Sequence, residues 1–403
     1  MASRNRLWIV RCTLLFLAGA ALQFSLGSLR PSFLTYPWGV VLAVNYLYVL
    51  ILLHACSDRY GWISRLYDRS ARIEALASVL VLTLLFGLIR QDADTDGLAG
   101  KLGFTQMSAS WVFVLFLFRL MTVLGLQAVD DVCHLKRKKP AVVMLHAAFF
   151  LVLSAGFFGS GDKVKMRVTA ALGVPVHAGV SHEGKSLELP FRMTLKEFSL
   201  EEYPARIHLT TAGGALSDEF VELDADGKQG RLNDWQVCCL NYLEEAGRVT
   251  DEVGFVAMKH VGAATAAYLR ACHLQTKQTV SGWVSCGSHI FRGCGLLLPD
   301  GGELVMPRRE VKKYLSVIEV EGEEGSRRLD IEVNRPGRFG AWNIYQAGYD
   351  SVRGKWSTLS VFECVRDGWY TPVRIALWMI LTASGWLFIS GHIVRHRKGE
   401  ERR

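Results

Sequence analysis

The side chains best able to do chemistry in this sequence are ionisable groups within long apolar stretches. His146 lies in the apolar segment Ala141–Phe158, about 10 Å along a helix from the basic end of that segment. Ionisable groups are costly within a bilayer, so they are functional candidates by default. A neutral imidazole can serve as an axial ligand of haem iron, or it can form a hydrogen bond to a neighbouring helix. Both interpretations of His146 stay open from the residues alone.

Arg119 and His54 are two further candidates. Arg119 lies near the centre of the apolar stretch Ala109–Ala128, too deep for its guanidinium to reach the membrane surface easily. It therefore needs a partner: a haem propionate, a helix C-terminal carbonyl or a carboxylate of another subunit. His54 lies near the end of the stretch Tyr36–Ala55, where a position at the membrane interface without a chemical role is the simpler interpretation. Three other histidines lie among basic residues and indicate a solvated surface: His134, His392 and His396.

Six apolar stretches, each close to the 20 or so residues that cross a bilayer, position these side chains. Half of all residues are hydrophobic and 21% are charged, below the quarter or so of an average soluble chain. The net charge of +8 is too modest to indicate a nucleic-acid-binding surface. The sequence therefore predicts a polytopic α-helical membrane protein with about six transmembrane helices. The stretches are Leu7–Leu29, Tyr36–Ala55, Ile73–Ile89, Ala109–Ala128, Ala141–Phe158 and Pro372–Val394.

Basic residues concentrate in alternate loops, and Lys and Arg are retained on the cytoplasmic side of a membrane. The basic segments are Arg59–Arg72, Lys136–Lys139 and the tail Arg395–Arg403. This pattern predicts a multi-pass protein of the cytoplasmic (inner) membrane, with both termini cytoplasmic and a large extracytoplasmic domain. A cleaved signal peptide is not favoured, because the first apolar run is long and a second one follows directly.

The large polar block, Ser160–Trp369, has the pattern of a β-rich domain. Hydrophobic and polar residues alternate in Phe191–Phe198 and in Tyr314–Val320, which predicts strands of a sandwich or barrel. The segment Ala263–Leu269 is compatible with a helix. The predicted domains are residues 1–159 (helices one to five), 160–369 (the β-rich domain) and 370–403 (the sixth helix and a basic tail). Predicted turns are Ala212–Gly214, Asp226–Gly227, Asp300–Gly302 and Glu321–Gly322.

Six of the nine cysteines fall in this block. Disulfides could form between them if the block is extracytoplasmic, and free buried thiols are an equally good interpretation. No Cys-x-x-Cys-His or Cys-x-x-Cys string occurs, so the chain is not itself a c-type cytochrome or a thioredoxin-like reductase. The histidines of the block lack metal-ligand spacing, and the neighbours Cys272–His273 and Cys286–His289 are only weak indications. No hydrolase or nucleotide-binding motif occurs either. The six cysteines are Cys238, Cys239, Cys272, Cys286, Cys294 and Cys364, and the six histidines are His177, His182, His208, His260, His273 and His289.

Several short strings, taken in order, resemble one family. Ser-Trp-Val-Phe opens the fourth span, and a Pro leads into His146 and then a Gly in the fifth. Leu-Pro-Phe, Leu-Lys-Glu-Phe and Tyr-Pro begin the polar block, and Asn-Arg-Pro and Trp-Asn-Ile-Tyr-Gln occur near its end. In order and spacing they resemble the ResB family of system II cytochrome c biogenesis. The strings lie at Ser110–Phe113, Pro140–Gly156, Leu189–Phe198, Tyr203–Pro204, Asn334–Pro336, Trp342–Asp350 and Ser360–Gly368.

The resemblance covers roughly residues 105–205 and 330–398. The first two spans resemble an extra N-terminal pair, or a diverged first hairpin, beyond the usual four of the family. Asp367–Gly368 lacks the Pro that the family places between these residues, and residues 206–330 match no known string. The family implies a membrane subunit that works with a CcsA (ResC) protein to move haem b outward and attach it to Cys-x-x-Cys-His of apocytochrome c. The tryptophan-rich haem motif of CcsA is absent here, so the resemblance implies the ResB half, a non-catalytic or co-catalytic subunit of the haem lyase.

His146 matches the transmembrane histidine that is proposed, in the family, to ligate haem near the inner leaflet opposite a histidine of CcsA. The implied partners are thus the CcsA-like protein, apocytochrome c, a transient haem b shared with the partner, and the lipid bilayer. A membrane-anchored scaffold or chaperone, whose extracytoplasmic domain binds a secreted client, is the alternative. A solute transporter is disfavoured, because the sequence has few deep ionisable residues and no inverted repeat.

Overall fold

The computed structural model describes residues 2–91, 97–182, 184–210, 215–250 and 254–400, with side chains described from residue 8 to residue 391 within these ranges apart from residue 250. The chain divides into two compact units. The helical unit is Met1–Val164 together with Arg366–Arg403, and the β domain is Lys165–Val365. The predicted turn Ala212–Gly214 lies outside the described residues.

Within these residues, six helices of the helical unit are long and apolar enough to cross a membrane, as the sequence predicts. Two short helices, α3 and α5, lie between them. The helices are α1 (Ala2–Leu26), α2 (Trp38–Ala55), α3 (Gly61–Ser64), α4 (Arg69–Leu88), α5 (Leu98–Lys101), α6 (Trp111–Cys133), α7 (Pro140–Phe158) and α8 (Tyr370–Glu400).

Four of the long helices extend several residues past the apolar stretches that predict them: α1, α4, α6 and α8. Helix α4 begins four residues early, at Arg69, because the Asp68 carboxylate caps it by accepting a hydrogen bond from the Ala71 backbone N–H. Helix α6 continues five residues past Ala128, to Cys133. Backbone hydrogen bonds continue a helix past the point where the residues become polar and a hydropathy criterion ends the span. The extension of α6 places Asp131 in the helix.

Helix α6 is the centre of the helical unit. In its most apolar stretch 56% of the residues are buried, compared with 11–28% in the other five long helices. Helix α6 contacts α1, α2, α4 and α7. Glycines allow this close packing: a Cβ on Gly19 would lie 2.7 Å from the Val112 Cα, and one on Gly125 would lie 2.5 Å from Leu50 Cδ1. Small residues at helix contacts are the usual means of close approach in membranes. The central helix is therefore the one that can hold polar groups away from lipid.

The 160–369 block is rich in strands, as the alternating patterns predict. The strands are β1 (Val164–Ala171), β2 (Pro175–Ser181), β3 (Ser186–Glu202), β4 (Ala205–Thr210), β5 (Leu216–Leu223), β6 (Gln229–Leu232), β7 (Trp235–Thr250), β8 (Gly254–Ala257), β9 (Ala264–His273), β10 (Thr279–Ser285), β11 (Leu296–Leu297), β12 (Glu303–Val305), β13 (Val311–Gly322), β14 (Gly325–Glu332), β15 (Gly337–Phe339), β16 (Trp342–Tyr349) and β17 (Leu359–Arg366). In the described residues they form three sheets. An eight-stranded sheet has the order β14-β13-β3-β2-β1-β17-β16-β15, a five-stranded sheet has the order β10-β9-β7-β6 with β8 also paired to β7, and a four-stranded sheet has the order β11-β12-β4-β5.

The two strongest strand predictions are confirmed: Phe191–Phe198 lies in β3 and Tyr314–Val320 lies in β13, and these strands pair antiparallel. The helix considered for Ala263–Leu269 is wrong, because Ala264–Leu269 forms the start of β9. Alanine has the highest helix propensity, but β9 pairs with β7 on one side and β10 on the other, and its first four residues are all buried, so tertiary pairing overrides the local preference.

One hydrophobic core joins residues of the four-stranded and five-stranded sheets. Trp235 is its largest fully buried member, and the Trp235 Nε1–H donates a 2.8 Å hydrogen bond to the Asp300 carboxylate. The predicted turn Asp300–Gly302 connects β11 to β12, with Gly301 at φ +84°. The core and this turn fix the four-stranded sheet, on whose strand β4 the histidine His208 lies.

All nine cysteines are free thiols. Cys286 and Cys294 are close in the chain, but the Cys286 thiol points to the Thr265 carbonyl and the Cys294 thiol to the Trp283 carbonyl. Burial raises the pKa of Cys239 to about 11 and that of Cys364 to about 12. Raised pKa values leave little thiolate near neutral pH, so these buried thiols react slowly.

We therefore expect all nine cysteines to be alkylated when the protein is denatured without reductant, as measured by mass spectrometry. In the folded protein, Cys56 and Cys133 are exposed and should react first, whereas Cys239 and Cys364 should be protected. A mass deficit of two alkyl groups in the denatured, unreduced sample would reveal a disulfide and contradict the structure.

Candidate functional site

His146 and Asp131 form the closest polar contact between two of the long helices. Helices α6 and α7 are joined by a short segment, residues 134–139, so the end of α6 lies beside the beginning of α7. The His146 Nδ1 lies 2.5 Å from the Asp131 Oδ2. The Asp131 side chain is 1% exposed, whereas that of His146 is 23% exposed. The carboxylate is thus enclosed, and the imidazole is partly accessible from outside the chain.

Two further side chains hold the Asp131 carboxylate. The Gln127 amide donates a 2.6 Å hydrogen bond to Oδ1 from one turn earlier in α6, and the Lys138 Nζ lies 3.1 Å from the same oxygen. The hydrogen bond to Asp131 raises the pKa of Lys138, which lies in the connecting segment. A buried charge is tolerated when it is paired and fully hydrogen-bonded. Asp131 is therefore a fixed acceptor for the imidazole.

This arrangement determines which nitrogen of His146 is free. A carboxylate oxygen only accepts hydrogen bonds, so the Nδ1 of His146 must carry the proton and the Nε2 of the neutral ring keeps its lone pair. Among the residues that the structure describes, no side chain or backbone group bonds to this Nε2. Histidines that ligate metals are commonly held by a carboxylate in this way, which fixes the ring and increases its basicity.

The donor set fits haem iron better than a bare metal ion. In the described parts of the chain, no three His, Cys, Asp or Glu side chains come together as a metal site. Structural and catalytic ions such as Zn²⁺ take three or four protein ligands. A haem needs only one axial imidazole from a given chain, since the porphyrin supplies four nitrogens. His146 therefore has the chemistry of an axial haem ligand.

Arg119 has its partner within the chain. Its Nη2 lies 3.3 Å from Glu74 Oε2 on α4, and its Nη1 lies 3.8 Å from the Cys12 thiol on α1. Arg11 lies 4.0 Å from the same Glu74 oxygen. A carboxylate of this chain thus supplies an anion of the kind that the depth of Arg119 requires. This ion pair connects α1, α4 and α6.

The remaining histidines of the helical unit have ordinary contacts. His54 Nδ1 lies 3.4 Å from the Tyr67 hydroxyl, and His134 Nδ1 lies 3.0 Å from the Asp130 carbonyl of the preceding turn. The side chains of His392 and His396 lie outside the described residues. His54 is therefore a hydrogen-bonded residue near the end of α2 and is not part of the His146 cluster.

The two Cys/His neighbours of the β domain do not form metal sites in the described parts of the chain. The Cys272 thiol points to a backbone carbonyl, and His273 Nδ1 accepts a hydrogen bond from the Thr276 backbone N–H. The Cys286 thiol bonds the Thr265 carbonyl, whereas the buried Nδ1 of His289 has no hydrogen-bond partner among the described residues.

Asp131 and Glu74 are the two functional residues that the sequence analysis missed. Asp131 follows Gln127 by four residues, a spacing that places both side chains on one face of a helix. This spacing could have indicated Asp131 from the sequence, but the predicted span ends at Ala128, before Asp131. Glu74 stands 45 residues from Arg119, and nothing local connects them.

No protein-family model matches the chain, and no curated protein is significantly similar to it. The resemblance to the ResB family therefore depends on the short strings and their order alone.

The Glu74–Arg119 ion pair gives a prediction about stability. Glu74→Gln leaves a partly buried guanidinium without its carboxylate, and we expect a loss of about 1–3 kcal/mol, since the Arg119 and Glu74 side chains are 20% and 15% exposed. Arg119→Gln should cost a similar amount, and the double variant should recover part of the loss. Arg11→Gln is the matched control: its side chain is 49% exposed, so the change should be within about 1 kcal/mol. Thermal unfolding in detergent measures all four variants. A fully stable Arg119→Gln protein that had lost haem would instead assign Arg119 to a propionate.

Proposed function

We propose that this chain is the ResB-like membrane subunit of a system II cytochrome c synthase, which helps to export haem and to attach it to Cys-x-x-Cys-His of apocytochromes c. The observation that carries the proposal is the His146 imidazole, held by Asp131 with its Nε2 unbonded among the described residues. The family strings surround the same position, since Ser110–Phe113 opens α6 and Pro140 opens α7. The chain's role would be to bind and orient haem rather than to break bonds.

The physical requirements of haem transfer favour a neutral ligand at this place. In a medium of low dielectric, an axial ligand must coordinate iron without adding a buried charge, and imidazole does so. The Asp131 carboxylate strengthens the ligand, and Lys138 compensates the charge of Asp131. The ring of His146 is thereby held in place while the charges of Asp131 and Lys138 offset each other.

The segment between α6 and α7 supplies cations for the propionates of haem. Lys136, Arg137 and Lys139 are exposed, and Lys138 is occupied by Asp131. In the proposed topology these residues lie at the cytoplasmic surface, where haem would enter. His146 is in the second turn of α7, about 9 Å along the helix from Pro140. Haem held there would lie close to the inner leaflet, with its propionates near the basic segment.

The proposed partner is a CcsA-like membrane protein. The His146 side chain is partly exposed on the helical unit, so a second axial ligand must come from outside the described chain. CcsA proteins carry a tryptophan-rich haem motif that this sequence lacks. The β domain would face the extracytoplasmic side and receive apocytochrome c.

His146→Gly should remove haem from the purified complex with the partner and stop covalent haem attachment to c-type cytochromes. Added imidazole can occupy the vacated space, so it should restore part of both. Pyridine haemochrome spectra measure bound haem, and haem staining of gels measures attachment. Wild-type haem content and spectrum in His146→Gly would make His146 a packed helix residue and would favour the scaffold alternative.

Two controls sharpen this test. Asp131→Asn keeps the size of the side chain but removes the charge, so haem should remain with lower affinity and a shifted Soret band, since losing such an outer partner commonly costs 10–100-fold. His134→Gly changes an exposed histidine near the end of α6 that bonds only to Asp130, and it should leave haem content unchanged.

The proposed topology predicts that a reporter active only outside the cytoplasm is active when fused near Asp226, in the connection between β5 and β6. A membrane-impermeant maleimide added to intact cells should not label Cys56 or Cys133, which are exposed but lie in or beside the basic, cytoplasmic loops. It should label them after the cells are opened. Activity of a cytoplasmic reporter fused near Asp226 would show that the orientation is the opposite of the proposed one.

A further inference from the structure

Three helices of the helical unit meet at one carboxylate, that of Glu74 on α4. The Glu74 Oε2 lies 3.3 Å from the Arg119 Nη2 on α6 and 4.0 Å from the Arg11 Nη1 on α1. The Ser70 hydroxyl donates a 3.2 Å hydrogen bond to the other oxygen, Oε1. Among the described side chains, no second carboxylate lies within ion-pair distance of either arginine. Two guanidinium groups thus share one carboxylate, which leaves one positive charge in excess.

The two arginines differ in how completely the chain encloses them. The Arg119 side chain is 20% exposed, and its Nη1 also contacts the Cys12 thiol at 3.8 Å. The Arg11 side chain is 49% exposed, and its ion pair with Glu74 is the longer of the two. Glu74 is therefore used mainly by Arg119, and the excess positive charge lies on the guanidinium of Arg11.

The position of Arg11 along α1 places this charge near a membrane surface. The part of α1 that is apolar enough to cross a membrane is Trp8–Leu26, so Arg11 lies about 4.5 Å along the helix from the beginning of that part. The Cα–Cβ bonds of a helix tilt toward its N-terminus, so the Arg11 side chain leaves α1 in the direction of this surface. A long basic side chain near a helix end can hold its charge among the lipid headgroups. The phosphates of phospholipids are the anions at this depth.

The side chains beside Arg11 suit the acyl chains of a lipid. Val10 and Leu14 on α1, and Ile73 and Leu76 on α4, are each more than half exposed. A phospholipid with a net negative charge can therefore use both features, since its phosphate meets a cation with little competition and its acyl chains meet apolar side chains. A zwitterionic phospholipid carries its own cation next to the phosphate, so it gains less from Arg11.

We propose that Arg11 is the headgroup site for an anionic phospholipid. The lipid phosphate pairs with the Arg11 guanidinium and supplies the negative charge that Glu74 cannot give fully to two arginines. Because Glu74 belongs to α4, a lipid bound at Arg11 also stabilises the contact between α1 and α4. The site requires neither haem nor a partner subunit, so it is independent of the proposed function.

The experiment compares two lipids on the purified full-length chain. Protein in a neutral detergent is mixed with phosphatidylglycerol, which is anionic, or with phosphatidylcholine, which is zwitterionic, and thermal unfolding is followed against lipid concentration. We expect phosphatidylglycerol to raise the unfolding temperature at lower concentrations than phosphatidylcholine does. Arg11→Gln should increase the concentration of phosphatidylglycerol required about fivefold, as expected for one basic residue at an anionic membrane surface. Arg11→Lys keeps the charge and should keep most of the effect.

Two controls separate a lipid site from general attraction and from binding of a free anion. Arg69 is exposed at the first residue of α4 and forms no ion pair within the described ranges, so Arg69→Gln removes the same charge and should leave the lipid response unchanged. Inorganic phosphate at matched ionic strength should not replace phosphatidylglycerol, because only the lipid also contacts the apolar side chains. Without added lipid, Arg11→Gln should unfold close to the wild-type temperature, so a difference that develops with lipid arises from the lipid.

The inference is overturned if Arg11→Gln and the wild-type protein respond alike to phosphatidylglycerol, or if Arg69→Gln weakens the response as much as Arg11→Gln does. Equal protection by inorganic phosphate would show a site for a free anion and would also contradict a lipid site. None of these results changes the haem content of the complex, which tests the proposed function separately.

Discussion

The hydrogen bond between His146 and Asp131 is the constraint on which the arrangement of the helical unit depends. It exists only because α6 continues past its apolar stretch, because the connection to α7 is short, and because Gln127 and Lys138 hold the carboxylate. Without these contacts, Asp131 would be an unpaired charge at the end of a membrane helix, which is strongly unfavourable. The same contacts orient the imidazole. Stability and ligand geometry are therefore provided by one cluster.

The central position of α6 explains why both polar clusters of the helical unit involve it. It is the most buried of the long helices, so its polar residues meet other helices instead of lipid. Arg119 bonds Glu74 of α4, and Asp131 bonds His146 of α7. The two clusters differ in what they leave free. The Arg119 pair is formed within the chain and holds helices together, whereas the Nε2 of His146 has no hydrogen-bond partner among the described residues.

The sequence predicts the features that depend on composition and periodicity, and it misses those that depend on tertiary contacts. The six long helices follow from apolar length, and β3 and β13 follow from alternation. The alanine-rich start of β9 has a misleading local preference that strand pairing overrides. His146 was identified from its depth alone, but the identity of its free nitrogen depends on Asp131, beyond the predicted end of the span. Arg11 shows the same limit, since the carboxylate that it shares with Arg119 lies on another helix.

The most direct test of the central claim is the protonation of the His146 ring, measured by ¹⁵N NMR on histidine-labelled protein in lipid nanodiscs. The His146 signals are assigned by their absence in His146→Gly. The geometry predicts that Nδ1 carries a proton, that its signal shifts in Asp131→Asn, and that the Nε2 signal shifts when hemin is added with the partner present. A bare Nδ1, or signals unchanged by Asp131→Asn, would contradict an imidazole held by Asp131 for an external ligand.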